Sequence, residues 1–385
     1  MASIRRRKLP SGKAVWQADY ADAMGKRRHR QFQTKKEADA FMVNARSEVT
    51  TGVHVPDSAS TTVSNAATDW LKAVEEDEDL ERSTYEHYRQ HVEIHIRPLI
   101  GNKKLTQVTT PIVYAFVDAM KAKGRSKETV RRAVQSLGRI FKFAKGRGLV
   151  GQNPVADVRL ASSKRGKKRP EMPTREELKT LLNTVSGRWR PLIITATFTG
   201  LRASELRGLR WDDVDLKKAI LTVRQRADAW LEIGKPKTEN SQRDVPLAPI
   251  VVNTLREWKL ACPIGDLGLV FPSGAGNVEH HPNIVKRGWN PLQVKCGISE
   301  PMKDRKGEIK RDKDGNVVMT GKYNFHCLRH AAAALFIEQG MRPDRVQAVM
   351  GHSSIQVTYD VYGYLFADED GDQKAVREIE ARLLG

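Results

Sequence analysis

The chain has 385 residues, 39% of them hydrophobic and 29% charged, with 66 Lys+Arg against 46 Asp+Glu and a formal net charge of +20. At roughly 100–200 residues per domain this suggests two or three domains, and no apolar run approaches the ~20 residues of a membrane span. The charged N-terminus, Met1 to Lys8, has no apolar stretch behind it and is not a signal peptide. The three cysteines, Cys262, Cys296 and Cys327, lie 34 and 31 residues apart, too few for a disulfide framework and off any metal-ligand spacing. Secreted, membrane and disulfide-stapled classes are thereby excluded, and an intracellular, cytoplasmic setting is expected. The positive excess is +7 over residues 1–55, +4 over 56–153, +4 over 154–172 and +5 over 173–385. An excess in every segment suits a polyanionic partner, of which nucleic acid is the usual one.

Residues 1–55 read as a β-then-α module. Val15 to Tyr20 alternates as a strand with Trp16, Ala18 and Tyr20 on one face, and Arg28 to Phe32 makes a second strand after a turn at Gly25. Thr34 and Glu37 form a capping box for a helix carrying Ala38, Phe41, Met42, Ala45 and Val49. Lys26, Arg27, Arg28 and Arg30 on the hairpin are either DNA contacts within a groove or a charged edge that prevents strand addition.

Residues 56–61 read as a linker, and residues 62–153 as all helix. Ala67, Trp70, Leu71 and Val74 mark a first helix. Tyr85, Tyr88, Val92 and Ile96 mark a second, stopped by Pro98. Thr110 and Pro111 open a third, and Val130, Val134, Leu137, Phe141 and Ala144 stripe a fourth. A Lys/Arg-rich stretch follows, with Arg159, Lys164, Arg165, Lys167, Lys168 and Arg169; it is either a solvated tether or one that follows a phosphate backbone.

From Met172 onward the pattern is mixed. Thr174 begins a helix, and Leu192 to Phe198 is an apolar helix ended by Gly200. Ile220 to Val223 is a strand, and Leu231–Ile233 with Arg243–Leu247 reads as a hairpin about a polar turn. Residues 302–322 read as an exposed hairpin insertion with a tight turn at Asp314-Gly315. The expected fold class is therefore multidomain and mainly α with small β-sheets. It comprises a β-α N-terminal module (1–55), a helical domain (62–153), a basic linker (154–172) and a mixed α+β domain (173–385).

Three places carry chemistry. Gly200-Leu201-Arg202 sets an arginine just past a glycine break, where it is held by backbone geometry beside Glu205; such a pair is either a phosphate contact or a structural brace. In Phe325-His326-Cys327-Leu328-Arg329-His330 the spacing i, i+3, i+4 projects His326, Arg329 and His330 from one helical face. Two imidazoles around a guanidinium suit an oxyanion, since the arginine would repel a metal cation. Met350-Gly351-His352 sets a histidine at a helix break, followed by Tyr359, Tyr362 and Tyr364. A tyrosine with a pKa of roughly 10 is a poor nucleophile unless cations and a base activate it.

Together the segments TGLRASELRGLRWDDVDL, PKTENSQRDVPL, HCLRH and MGHSSIQVTYDVYGYLF resemble the tyrosine recombinase family, the phage-type integrases, in that family's order. The resemblance covers residues 173–366 most strongly; the helical 62–153 unit is similar to the family's core-binding domain, and the β-α start to an arm-binding module. It implies a catalytic 173–385 domain and DNA strand exchange through a 3′-phosphotyrosyl intermediate. Arg202 and Arg329 match the two catalytic arginines, His326 the histidine three residues before the second, His352 the late histidine position and Lys237 the catalytic lysine, with Lys235 a weaker match. Tyr362, ten residues after His352, matches the nucleophile; the alternative count of nine falls on Val361.

The resemblance further implies double-stranded DNA attachment sites as partners and a homotetramer on DNA. A host DNA-bending protein and a directionality factor are its implied accessories. No cofactor is expected, because the sequence has neither a Gly-rich phosphate loop ending in Gly-Lys-Ser/Thr nor a carboxylate cluster for paired magnesium ions. Two other readings share the residues: a type IB topoisomerase, and a DNA-binding regulator that kept the fold and lost the chemistry.

Overall fold

The computed structural model describes residues 2–22, 25–50, 54–57, 59–161, 169–236, 242–304, 307–366 and 369–384. The chain divides into two compact units, residues 1–163 and 164–385. Among the described residues no helix is long and apolar enough to cross a membrane.

The first unit opens with a three-stranded antiparallel sheet, β1 (Ser3–Lys8), β2 (Ala14–Ala21) and β3 (Arg27–Phe32), with β2 in the middle. The strand β1 adds to the two expected. Its sequence, SIRRRK, has a single apolar residue, so periodicity gives no strand signal; Ile4 nonetheless packs with Ala18, Tyr20 and Met42. Helix α1 (Lys35–Thr50) covers one face, opened by the expected capping box, in which Thr34 and Glu37 exchange backbone-to-side-chain hydrogen bonds of 3.2 Å.

A separate apolar core then forms among α2 (Val63–Glu75), α3 (Arg82–His91), α4 (Arg97–Ile100), α5 (Thr110–Ala122) and α6 (Lys127–Gly146), around Trp70, Val92, Ile96, Phe116, Leu137 and Phe141. Pro98 does not stop the second helix as expected. Residues 92–96 widen into a π turn in which the Arg97 N–H reaches the Val92 carbonyl, and the helical path continues through Pro98 to Ile100. Pro98 sits in the first turn of α4, where its missing N–H costs least. The N-cap position of the third helix is Thr109, without a side-chain capping bond, and not Thr110; the Thr110 hydroxyl instead donates to the Pro154 carbonyl at 3.1 Å.

The second unit is built on α8 (Trp189–Thr199), which is buried along nearly its whole length and packs against α7 (Arg175–Thr184) and α10 (Pro249–Ala261). Between α8 and α10 lie α9 (Ala203–Gly208) and the short strands β4 (Val214–Asp215), β5 (Ile220–Val223), β6 (Arg226–Ala227), β7 (Ile233–Gly234) and β8 (Arg243–Pro246). The expected hairpin between Leu231–Ile233 and Arg243–Leu247 is not formed. β8 pairs instead with β5, and β7 closes on β6. The reason is the apolar alternation: Val245 lies opposite Leu221, both wholly buried in the core. Leu231, with φ +70°, belongs to the turn between β6 and β7.

α11 (His281–Asn283) and α12 (Asn290–Lys295) follow, then β9 (Ser299–Pro301) and β10 (Met319–Gly321). The described residues of the 302–322 insertion are largely exposed, as expected, but two tandem turns, with bridges Lys303 to Ile309 and Arg311 to Val317, precede β10, which lies within the insertion and pairs with β9. The chain ends in α13 (Cys327–Glu338), α14 (Pro343–Met350), α15 (Ile355–Tyr362) and α16 (Glu369–Leu384).

Candidate active site

The C-terminal end of α14 organises the site. Gly351 turns into the left-handed region at φ +64°. Its N–H reaches the Ala348 carbonyl at 3.1 Å, and the His352 N–H reaches the Gln347 carbonyl at 3.1 Å. This is the Schellman arrangement, and it leaves the last carbonyls of the helix pointing outward. Three arginines from three other elements take them in order. Arg243 Nε on β8 donates to the Val349 carbonyl at 2.6 Å, Arg329 Nη2 on α13 to Met350 at 2.6 Å, and Arg202 Nη2 before α9 to Gly351 at 2.8 Å. Guanidiniums suit this position because a helix C-terminus carries partial negative charge. A Cβ on Gly351 would lie 2.7 Å from Arg243 Nη1, so glycine is required by space as well as by φ.

Each arginine is fixed a second time. Arg329, 4% exposed, also donates to the carbonyl of Gly200, the left-handed residue that ends α8, at 2.7 Å. Arg202 and Arg243 share the buried carboxylate of Glu205, at 2.8 Å from Arg202 Nη1 and 2.9 Å from Arg243 Nη2. Burial pushes the Glu205 carboxyl up, but the hydrogen bond from Arg243 and the charges of both arginines outweigh it and hold it below its ordinary value. Three guanidiniums against one carboxylate leave positive charge in excess. Burial, with Arg202 next, lowers the Arg329 pKa to about 9, which still leaves it charged at neutral pH.

Tyr362 lies inside this cluster at the end of α15, 2% exposed and packed on Ala333, Ile337, Val346 and Met350. Its ring stacks on His352, with centroids 6.2 Å apart and planes 13° from parallel. Its hydroxyl lies 2.7 Å from His330 Nδ1. Burial raises the tyrosine pKa to about 12, against the lowering influence of Arg329. His326 immediately precedes α13 and meets the His330 ring edge-on, with centroids 4.9 Å apart. Desolvation, then His330 and Arg329, lower its pKa to about 4, although its outer rim faces solvent.

Of the expected site residues, Arg202, His326, Arg329, His352 and Tyr362 are brought together here. Lys237 lies outside the described residues. Arg27 is exposed on β3, whereas Arg28 and Arg30 lie on the partly buried side of that strand. Arg28 pairs with Asp22 at 2.8 Å and Arg30 with Asp57 at 3.3 Å. Lys26 is exposed beside the turn.

Two residues join the site through long-range contacts that local sequence does not carry. Arg243 stands within the QRDVPL segment, but nothing in a single sequence says that it would reach across to α14. His330 shares the expected oxyanion-facing side of its helix with His326 and Arg329, but the hydrogen bond that sets it against the Tyr362 hydroxyl is between residues 32 positions apart.

His352 supplies a test of the electrostatics. It is 7% exposed, with Nδ1 2.9 Å from the Thr358 hydroxyl. Burial and then Arg329, Arg202 and Arg243 lower its pKa from 6.5 to about 3. The unfolded chain therefore binds a proton more readily than the folded one between those values. Stability present above the unfolded pKa is lost as pH falls through that window. At pH 5 the loss is about 2 kcal/mol. Urea denaturation of the wild type at pH 7 and pH 5 should show that loss beyond the loss in His352→Asn; equal losses would rule out a buried neutral imidazole.

Residues 172–368 match the profile of the Phage integrase family, and residues 63–161 that of the Phage integrase central domain. The Tyrosine recombinase XerC-like protein of Caldanaerobacter subterraneus subsp. tengcongensis is 26% identical over 377 residues, covering 89% of this chain and 90% of the relative. The ICEBs1 integrase of Bacillus subtilis is 25% identical over 76% of either chain. Among solved structures, the Tn1549 transposon integrase in complex with a circular intermediate DNA gives a TM-score of 0.65 at 20% identity, over 83% of this chain and 100% of that one. A lambda integrase tetramer bound to a Holliday junction gives 0.58 at 19% identity, over 91% and 95%. The fold is thus the multidomain, mainly α architecture with small sheets that the sequence pattern implied.

Proposed function

The chain belongs to the phage integrase family, and on that premise we propose how its residues exchange DNA strands. It is a site-specific DNA recombinase, an integrase of a mobile element, acting by tyrosine transesterification. It binds DNA and works as a multimer.

One observation carries the residue assignment: the buried Tyr362 hydroxyl lies in a cluster where three guanidiniums face one carboxylate. Tyr362 Oη attacks the scissile phosphorus, a Tyr–O–P bond forms and the P–O5′ bond breaks. The non-bridging oxygens gain negative charge in the transition state. Arg202 and Arg329, already oriented by the α14 carbonyls, offset it with their remaining N–H groups. His352 adds a donor on the ring face of the tyrosine. Lys237 protonates the leaving O5′; its assignment rests on the PKTENSQRDVPL segment. Religation is the reverse, with a 5′-hydroxyl from the exchanged strand attacking the phosphotyrosine, so the bond energy is conserved.

The finer reading is a homotetramer on attachment sites, with a host DNA-bending protein and a directionality factor as accessories. The 62–153 helices grip the core site, and the N-terminal module grips separate arm sites. The test uses nicked suicide substrates of the element's own end sequence. A denaturation-resistant adduct followed by joined products from two duplexes supports the reading. An adduct without intermolecular joining points to a topoisomerase, and no adduct to a binding protein alone.

The N-terminal module makes its own prediction. Arg7 and Arg27 lie on the exposed outer strands of its sheet. Reversing both charges should reduce the salt slope of binding to long DNA by about 2, close to the loss of two phosphate contacts. Cleavage of a short core-site substrate should be unchanged. An unaltered slope in a mobility-shift series at several salt concentrations would remove the sheet from the DNA interface.

A further inference from the structure

We propose that His330 is the proton acceptor for the Tyr362 nucleophile. The inference rests on the recombinase reading and deepens it.

The geometry is direct. His330 Nδ1 lies 2.7 Å from the Tyr362 oxygen, the atom that must lose a proton as it attacks. General-base work requires hydrogen-bond reach of about 2.6–3.2 Å before any question of pKa arises. Among the described residues, this is the hydrogen bond that the Tyr362 hydroxyl makes with an imidazole. His326, three residues before Arg329, instead meets the His330 ring edge-on.

Neighbouring groups keep His330 ready to accept. For Nδ1 to take the hydroxyl proton, the ring must be neutral with its own proton on Nε2. Among the described residues, the charged and titratable groups around it are Arg329 and His326 on its own helix, His352 from the turn after α14, and Tyr362 from α15. None of these is a carboxylate that would favour the imidazolium. Burial, and then Arg329, move its pKa below the ordinary histidine value. Both influences favour the neutral, proton-accepting imidazole.

The tyrosine needs this help. Its pKa is raised to about 12, chiefly by burial, so the free tyrosinate is scarce at neutral pH. The step balances in both directions. In cleavage, the Tyr362 proton moves to His330 Nδ1 as Oη bonds to phosphorus and the P–O5′ bond breaks. The leaving O5′ takes its proton from a separate acid. In religation, the Tyr–O–P bond breaks and His330 returns the proton to the departing Oη.

The measurement is single-turnover adduct formation by the full chain on a nicked suicide substrate across a pH range. A substrate with a 5′-bridging phosphorothiolate takes leaving-group protonation out of the profile. The variants are His330→Ala and His330→Asn. The asparagine oxygen can accept a hydrogen bond near the Nδ1 position but cannot carry a proton away. Both variants should slow adduct formation by about 10²-fold or more at neutral pH.

The profile is the discriminating readout. The wild type should fall on the acid side, where His330 is protonated, and level off above it. The variants should lose that break and gain about tenfold in rate per pH unit toward the tyrosine pKa, because they depend on free tyrosinate. Wild-type rate in either variant, or an unchanged acid break in both, overturns the proposal. Slow Ala with fully restored Asn also overturns it, since orientation alone would then suffice. DNA binding measured on the same samples reports folding. The wild type and Tyr362→Phe run alongside: no wild-type adduct, or an adduct in Tyr362→Phe, sinks the recombinase assignment itself, separately from His330.

Discussion

Tyr362→Phe is expected to abolish the covalent protein–DNA adduct while leaving DNA binding close to wild type. The substitution removes one oxygen from a side chain that is otherwise packed against Ala333, Ile337, Val346 and Met350. The ring stays, so the apolar contacts and the stacking on His352 stay. The lost hydrogen bond to His330 costs about 1 kcal/mol of stability. The two neighbouring tyrosines are placed differently. Tyr359 is 48% exposed, and Tyr364 lies beneath the Arg169 guanidinium, 4.4 Å from it. Tyr359→Phe and Tyr364→Phe should therefore still form the adduct. Trapping on a nicked substrate, resolved on a denaturing gel, decides the matter. An adduct in Tyr362→Phe, or its loss in Tyr359→Phe with binding intact, would overturn the assignment of the nucleophile.

The sequence makes the second unit legible for a physical reason. A glycine that must turn left-handed, an arginine fixed beside it and a histidine at a helix break are each visible as local signals. Gly200-Leu201-Arg202 and Met350-Gly351-His352 both have this form, and both occupy the positions expected of them. What the sequence does not carry is long-range pairing. The β8 strand could be placed beside Leu231–Ile233 or beside β5 on local pattern alone, and only the burial of Leu221 against Val245 selects β5. The same limit hid Arg243, whose contacts with Glu205 and Val349 cross 38 and 106 residues. It also hid β1, in which four cations mask a strand held by Ile4. Pro98 misled for the opposite reason: a strong local stop signal was absorbed by a widened turn one step before it.

The arginines separate catalysis from folding, because the two named for the chemistry differ in burial. Arg202 has a side chain 36% exposed, while Arg329 is 4% exposed and donates to both Gly200 and Met350 carbonyls. Removing either should slow cleavage by about 10²–10³-fold or more, since a fixed donor to a developing oxyanion is lost. The stability costs should diverge. Arg329→Ala leaves two buried carbonyls without their donor, at about 1–3 kcal/mol each. Arg202→Ala exposes its partners to water and should cost less than Arg329→Ala. Arg329→Lys keeps the charge but cannot span both carbonyls and still present a donor pair to a phosphate. It should fold better than Arg329→Ala and cleave nearly as poorly. Single-turnover cleavage and urea denaturation on the same proteins give the two coordinates. If the cleavage loss simply tracked the stability loss across Arg202→Ala, Arg329→Ala and Arg329→Lys, the arginines would be scaffolding for the α14 end alone. If Arg329→Lys cleaved like the wild type, charge without the planar fork would suffice, and the bidentate contact to phosphate would have to be given up.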